Sequence, residues 1–273
     1  MSTLRGPQDQ AADIARQARE LLSQVRESRW PGFEPPAAAA TTLKPAAPPR
    51  PPGPARQRIS LRSAVPPASA TPPREEPHPW SSLEQIAQAV STCTLCPLCA
   101  TRTRTVPGEG NPKPRLLFIG EAPGADEDRL GRPFVGAAGK KLDDMIRAMG
   151  LARDQVFIAN VLKCRPPGNR APLPPEVASC APYLRAQIEL LGPQIICTLG
   201  NPATQALLGV TESISRLRGR FASYRGTPVM PTFHPSYLLR NPADKKLSWK
   251  DLQQIMQRLG LPLHGTPPAR END

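Results

Sequence analysis

The chain has 273 residues, a formal net charge of +12 and 37 prolines, a balance that favours nucleic acid over an acidic protein surface as partner. No apolar run approaches the ~18 residues of a membrane span, and the opening MSTLRGPQDQ lacks the apolar centre of a signal peptide. The expectation is therefore a cytoplasmic protein with no membrane contact, whose six cysteines serve metal binding or packing rather than disulfides.

In chain order, residues 13–30 (DIARQARELLSQVRESRW) set Ile14, Ala18, Leu21, Leu22 and Val25 on one face at helical spacing. Residues 1–30 are thus expected to hold one amphipathic helix, either solvated or a docking peptide for a protein partner. Residues 31–79 are rich in Pro and Ala and are expected to form a disordered, partly polyproline linker. The folded domain is expected over 80–262, with a polar tail over 263–273.

Within that domain, four short apolar runs predict strands: Arg115–Gly120, Val156–Val161, Gln194–Gly200 and Pro228–Phe233. Helical stretches fall between and after them, at Ala137–Met149, Pro175–Leu191, Pro202–Leu208 and Ser248–Leu259. Strands alternating with helices predict right-handed crossovers. The expected fold is α/β, a three-layer α/β/α arrangement around a central four-stranded, mostly parallel sheet. The near-continuous apolar character of the strands agrees with burial on both faces.

Glu121 follows the first strand, Asn160 ends the second, Gly200 and Asn201 follow the third, and His234 follows the fourth. In a parallel sheet these ends share the carboxyl edge, where ligands of open α/β sheets bind. A carboxylate, an amide and an imidazole from distant parts of the chain are thereby expected to meet in one cleft. The turn Gly120-Glu121-Ala122-Pro123-Gly124 matches neither the dinucleotide fingerprint nor the P-loop, and its carboxylate would repel phosphate. Glu121 suits a general base or electrostatic stabiliser, or else a helix-capping carboxylate. Asp126, Glu127 and Asp128 read as a solvated charge run. Phe134, in GRPFVGAAG, reads as a core residue or a stacking platform. His234 is the one histidine in a strand-end motif, FHPSYLLRNP.

Cys93-Thr-Leu-Cys96 has knuckle spacing, and Cys164 and Cys180 flank the loop RPPGNRAPLP. Together they predict a four-cysteine site for zinc or an iron–sulfur cluster. Cys99 is open to either role, and Cys197 reads as a buried thiol. Basic residues gather in three loops: Arg102 and Arg104; Lys163, Arg165 and Arg170; Arg216, Arg218, Arg220 and Arg225. They read as contacts to a phosphate backbone.

The runs GEAPGADEDRLGRPFVGAAG, NVLKCRPPGNRAPLP and HPSYLLRNP resemble the family 4 uracil-DNA glycosylases, the iron–sulfur branch of that superfamily. The resemblance spans about Leu83 to Leu259. It implies a structural [4Fe-4S] cluster on Cys93, Cys96, Cys164 and Cys180, with Cys99 and Cys197 outside the pattern. It also implies a monomeric enzyme acting on uracil-containing DNA, flipping the base into a pocket. Phe134 would stack on uracil and Asn160 would bond its polar edge. His234 would donate to the charge developing on uracil, and Glu121 would orient the attacking water. Glu127 would support them, and the backbone of Gly120 to Ala122 would line the pocket. Leu238 or a neighbour would wedge into the base stack. The loop KCRPPGNRAP lacks the histidine of a covalently trapping relative, which favours turnover. The alternative is a non-catalytic iron–sulfur module that binds damaged DNA and recruits a partner through the N-terminal helix.

Overall fold

The structure, a computed structural model, describes residues 78–263. The helix expected over residues 13–30, nearly all of the linker and almost the whole tail lie outside the described residues. The elements run α1 (Leu83–Ser91), β1 (Glu109–Gly110), β2 (Leu116–Gly120), α2 (Ala125–Leu130), α3 (Ala137–Ala148), β3 (Phe157–Asn160) and α4 (Pro174–Leu191). They continue with β4 (Ile195–Leu199), α5 (Asn201–Leu208), α6 (Ile214–Leu217), β5 (Ala222–Tyr224), β6 (Thr227–Thr232), α7 (Pro235–Arg240) and α8 (Lys245–Arg258).

The sheet has six strands in the order β1-β3-β2-β4-β6-β5, which corrects the expected four. The four apolar runs form its parallel centre. The two additions are antiparallel edges, β1 on β3 and β5 on β6. They span only two and three residues, too few to show the alternation that marks a strand. β1 lies so close to its neighbour that a Cβ on Gly110 would come within 2.0 Å of the Val156 carbonyl oxygen.

Both faces of the parallel centre are covered. Leu117, Ile119 and Ile196 pack with residues of α1, α4 and α5, whereas Leu116, Phe118 and Ile195 pack with residues of α3 and α8. Adjacent strand residues point to opposite faces, so these two cores are the outer interfaces of a three-layer α/β/α fold. Local chemistry sets the helix limits. Pro174 opens α4, where its fixed φ is favourable, Glu176 bonds back to the Leu173 N–H at 2.8 Å, and Gly192 ends the helix in the left-handed conformation. No helix among the described residues is long and apolar enough to cross a membrane.

Candidate active site

The register of the central strands sets the floor of the site. Gly120 closes β2 opposite Asn160 at the end of β3, so both reach the carboxyl edge side by side. A side chain at position 120 would not fit, because its Cβ would lie 2.4 Å from Asn160 Oδ1 and 2.5 Å from Phe134 Cζ. Asn160 is 1% exposed, and its Oδ1 has no hydrogen-bond partner among the described residues. Leaving a buried acceptor unpaired costs about 1–3 kcal/mol. This one borders a cavity of about 300 Å³ whose walls include Glu121, Ala122, Phe134 and His234.

Phe134 is delivered by a strained loop. Its φ is 51°, a left-handed conformation that disfavours a bulky side chain. Two devices hold it there. Gly139 of α3 lets the helix pass beneath, since a Cβ at that position would meet the Phe134 carbonyl oxygen at 1.9 Å. Glu127 supplies the second: its Oε1 accepts from the Val135 and Gly136 N–H groups at 2.9 and 3.0 Å, and its Oε2 from the Gly124 N–H at 3.0 Å. Of the acids read as a solvated run, Asp126 is exposed as expected, whereas Glu127 and Asp128 are buried struts. Asp128 likewise accepts from the Thr103 N–H at 2.9 Å. No periodicity in the sequence announces a carboxylate folded back on residues eight or nine positions away.

His234 caps α7. Its Nδ1 accepts from the Ser236 N–H at 3.1 Å and lies 2.7 Å from Ser236 Oγ. An amide N–H can only donate, so Nδ1 is the unprotonated nitrogen and the neutral ring carries its proton on Nε2. Burial, reinforced by Arg240, lowers its pKa to about 4. The imidazole lies 5.7 Å, centroid to centroid, from the Phe134 ring. Gly200 makes room for it at the end of β4, because a Cβ there would come within 2.9 Å of His234 Cβ. Ser236 was not among the expected site residues. The His-Pro-Ser run, with proline at the first helical position, is the signal that points to it.

Glu121 is the half-buried carboxylate of the cavity. Among the described residues its side chain has no hydrogen bond or ion pair, and burial raises its pKa above the usual carboxylate range. It caps no helix. Glu121, Ala122, Glu127, Phe134, Asn160 and His234 all border the cavity, and Gly120 lies directly against Phe134 and Asn160.

Part of the basic set is engaged within the protein, whereas Arg104, Arg216, Arg220 and Arg225 are exposed. Lys163 is 1% exposed and donates from Nζ to the Asn160 carbonyl at 2.8 Å and to Gln187 Oε1 at 2.6 Å. Burial lowers its pKa to about 8, partly offset by the Cys180 sulfur. Arg170 is paired with Glu176 through two contacts of 2.9 and 2.5 Å, and Arg218 with Asp251 at 2.5 Å. These side chains brace loops, a use that a count of positive charge does not distinguish from DNA contact. Leu238 is 1% exposed and packs in the core, whereas its neighbour Leu239 is 44% exposed.

A second pocket lies across the sheet's α1/α4 side. Cys93, Cys96, Cys99, Cys164 and Cys180 line it together with Val90, Leu98 and Tyr183, and all are free thiols. Arg102 donates from Nη1 to Cys164 Sγ at 3.3 Å and to the Cys93 carbonyl at 2.8 Å. The Lys163 N–H donates to Cys180 Sγ at 3.3 Å. Burial raises the pKa of Cys164 and pushes that of Cys180 up to about 11. Among the described residues, no group of three or more His, Cys, Asp or Glu converges tightly enough for a single ion. The sulfurs instead surround a space. Cys197 lies apart, in the sheet, and is fully buried.

Comparison with known proteins matches residues 107–254 to the uracil DNA glycosylase superfamily. A type-4 uracil-DNA glycosylase of Sulfurisphaera tokodaii is 46% identical over 185 residues, covering 64% of this chain and 84% of that protein. The type-4 enzyme of Thermotoga maritima is 48% identical over 161 residues, covering 58% of this chain and 84% of its own length. A type-5 uracil-DNA glycosylase of Thermus thermophilus is more distant, at 32% over 190 residues, with 56% of this chain and 86% of that protein covered.

Proposed function

Because the chain belongs to the uracil DNA glycosylase superfamily, on the side of its type-4 members, we propose a role for each side chain that meets at its cavity. The reaction is the removal of uracil from DNA during repair: the N-glycosidic bond is hydrolysed, uracil leaves, and an abasic site remains. A base inside a duplex is out of reach, so it must be flipped into a pocket that reads its face and its edge. The observation that carries the assignment is the convergence of Glu121, Phe134, Asn160 and His234 on one cavity, with Asn160 Oδ1 unpaired.

Phe134 offers the stacking face. Asn160 reads the edge, its free Oδ1 accepting from uracil N3–H while its amide NH₂ donates to O4. Cytosine presents the opposite pattern at these positions, so the fixed amide selects against it. As the glycosidic bond lengthens, negative charge grows on uracil O2 and positive charge on the sugar. The Nε2–H of neutral His234 stabilises the first, a donor set in place before the charge develops. Glu121, ionised, stabilises the second and takes a proton from the attacking water. Glu127 acts as a positioning residue, holding the turns that carry Glu121 and Phe134.

The cysteine pocket suits a polynuclear group. It is ringed by sulfurs that do not meet at one point, and two N–H donors point at those sulfurs. Cys93, Cys96, Cys164 and Cys180 would hold a [4Fe-4S] cluster. When bound, that group supplies a four-point cross-link between the segment after α1, the loop after β3, and α4. The free thiols suit a reducing, cytoplasmic setting, and the same reading takes the chain to act alone.

The test is uracil release from a single-uracil oligonucleotide under single-turnover conditions, scored as alkali-labile abasic sites, with a matched thymine strand as control. Cleavage of the uracil strand alone is expected. Tight DNA binding without cleavage, by protein that retains its iron, would instead favour a recruiting module.

A further inference from the structure

Lys163 is a fully buried ammonium to which the reaction assigns no role. It lines the cysteine pocket and is bonded to Asn160, a wall residue of the active-site cavity. Its Nζ grips the Asn160 carbonyl at 2.8 Å and Gln187 of α4 at 2.6 Å. Its own N–H meets Cys180 Sγ at 3.3 Å, and its carbonyl accepts from the Val106 N–H at 2.8 Å. Gln187 completes the brace by donating from Nε2 to the Pro107 carbonyl at 2.7 Å.

Placement gives this contact its meaning. The β2/β3 pairing ends at Gly120 and Asn160, where the Asn160–Val161 peptide is held on its β2 side by the Val161 N–H, which donates to the Gly120 carbonyl at 2.9 Å. In a planar trans peptide the Asn160 carbonyl points to the opposite side, and there Lys163 supplies the second hold. Held from both sides, the peptide cannot tilt, and the Asn160 side chain it carries keeps its place at the cavity wall. The other end of the brace, Gln187, lies on the helix that carries Cys180, two turns along.

We propose that Lys163 is a positioning residue, one that locks the Asn160 amide in its reading orientation by tying it to the cysteine-bearing helix α4. The inference rests on the assignment of Asn160 as the residue that reads uracil. Lys163→Met keeps an unbranched side chain one atom shorter and removes the donor. Its iron content and visible absorbance are expected to match the parent, while free uracil inhibits it about 10- to 100-fold more weakly, the scale of one hydrogen bond to a charged group. In an Asn160→Ala background the same substitution is expected to cost nothing more, because the residue it acts through is gone.

Equal losses in both backgrounds would overturn the link, as would unchanged uracil inhibition or the disappearance of iron. Should Lys163→Met not fold, Gln187→Met must show the same dependence on Asn160, and an additive loss there would equally overturn it. If Asn160→Ala alone releases uracil as fast as the parent, the assignment of Asn160 fails and takes this inference with it. That outcome is read from the single variant and cannot be confused with additive losses.

Discussion

Burial moves Glu121 and His234 off their ordinary titration in opposite directions, Glu121 upward and His234 down to about 4. Each shift disfavours the charged form, with different consequences for catalysis. A neutral imidazole is the form that donates from Nε2, and it persists above about pH 4. The carboxylate of Glu121 exists only above its raised pKa. The acid limb of the single-turnover rate is therefore expected to belong to Glu121. Glu121→Gln should lower the rate about 10²–10⁴-fold and flatten that limb. His234→Ala should cost about 10²–10³-fold and leave the limb in place. A limb that survives in Glu121→Gln would remove Glu121 from its role. The linkage sign gives a second readout. The folded state disfavours ionised Glu121, so its charge lowers stability at neutral pH. Glu121→Gln should melt higher there, and the gain should vanish as pH falls through the raised pKa, where the protonated acid resembles glutamine.

The short helix α7 shows what the phase of a single element decides. Sequence pointed to Leu238 or a neighbour as the wedge, since two adjacent leucines cannot be ranked without knowing which faces the core. Leu238 is buried, and Leu239 stands exposed beside Lys140, Lys141 and Lys245. Filling the gap left by a flipped base matters only where a stack exists. Leu239→Ala should thus slow excision from duplex DNA by about tenfold or more, given an unstacking cost of a few kcal/mol, and leave single-stranded substrate almost unchanged. Equal slowing on both substrates would exclude the wedge. The edge strands β1 and β5 and the helices α6 and α7 are each six residues or fewer. Two- or three-residue edge strands and helices of one or two turns carry too little pattern to be read, whereas β2, only five residues but apolar almost throughout, and the 18-residue α4 were legible almost to the residue.

For the molecule as a whole, the parallel centre was legible because its strands are apolar throughout and alternate with helices. From that alone followed the meeting of Glu121, Asn160 and His234 at one edge, since parallel strands end together. The supports of the site were not legible. Resemblance alone named Glu127 for a supporting role, and the contacts through which Glu127, Lys163 and Arg218 act have no signal in the sequence, where their charges resemble those of any solvated surface. Cys197 belongs to the legible part, and it has a practical use. It sits in β4 between Phe118 and Met230, fully shielded by both layers, with its thiol held neutral by burial. An alkylating reagent can reach this sulfur only when the middle of the sheet separates. Its modification rate, followed by mass spectrometry, should therefore track global unfolding, and modification at a rate typical of an exposed thiol would show that the sheet opens locally. The protein carries in this one atom a clock for its own opening, set apart from the five cysteines that report on the other pocket.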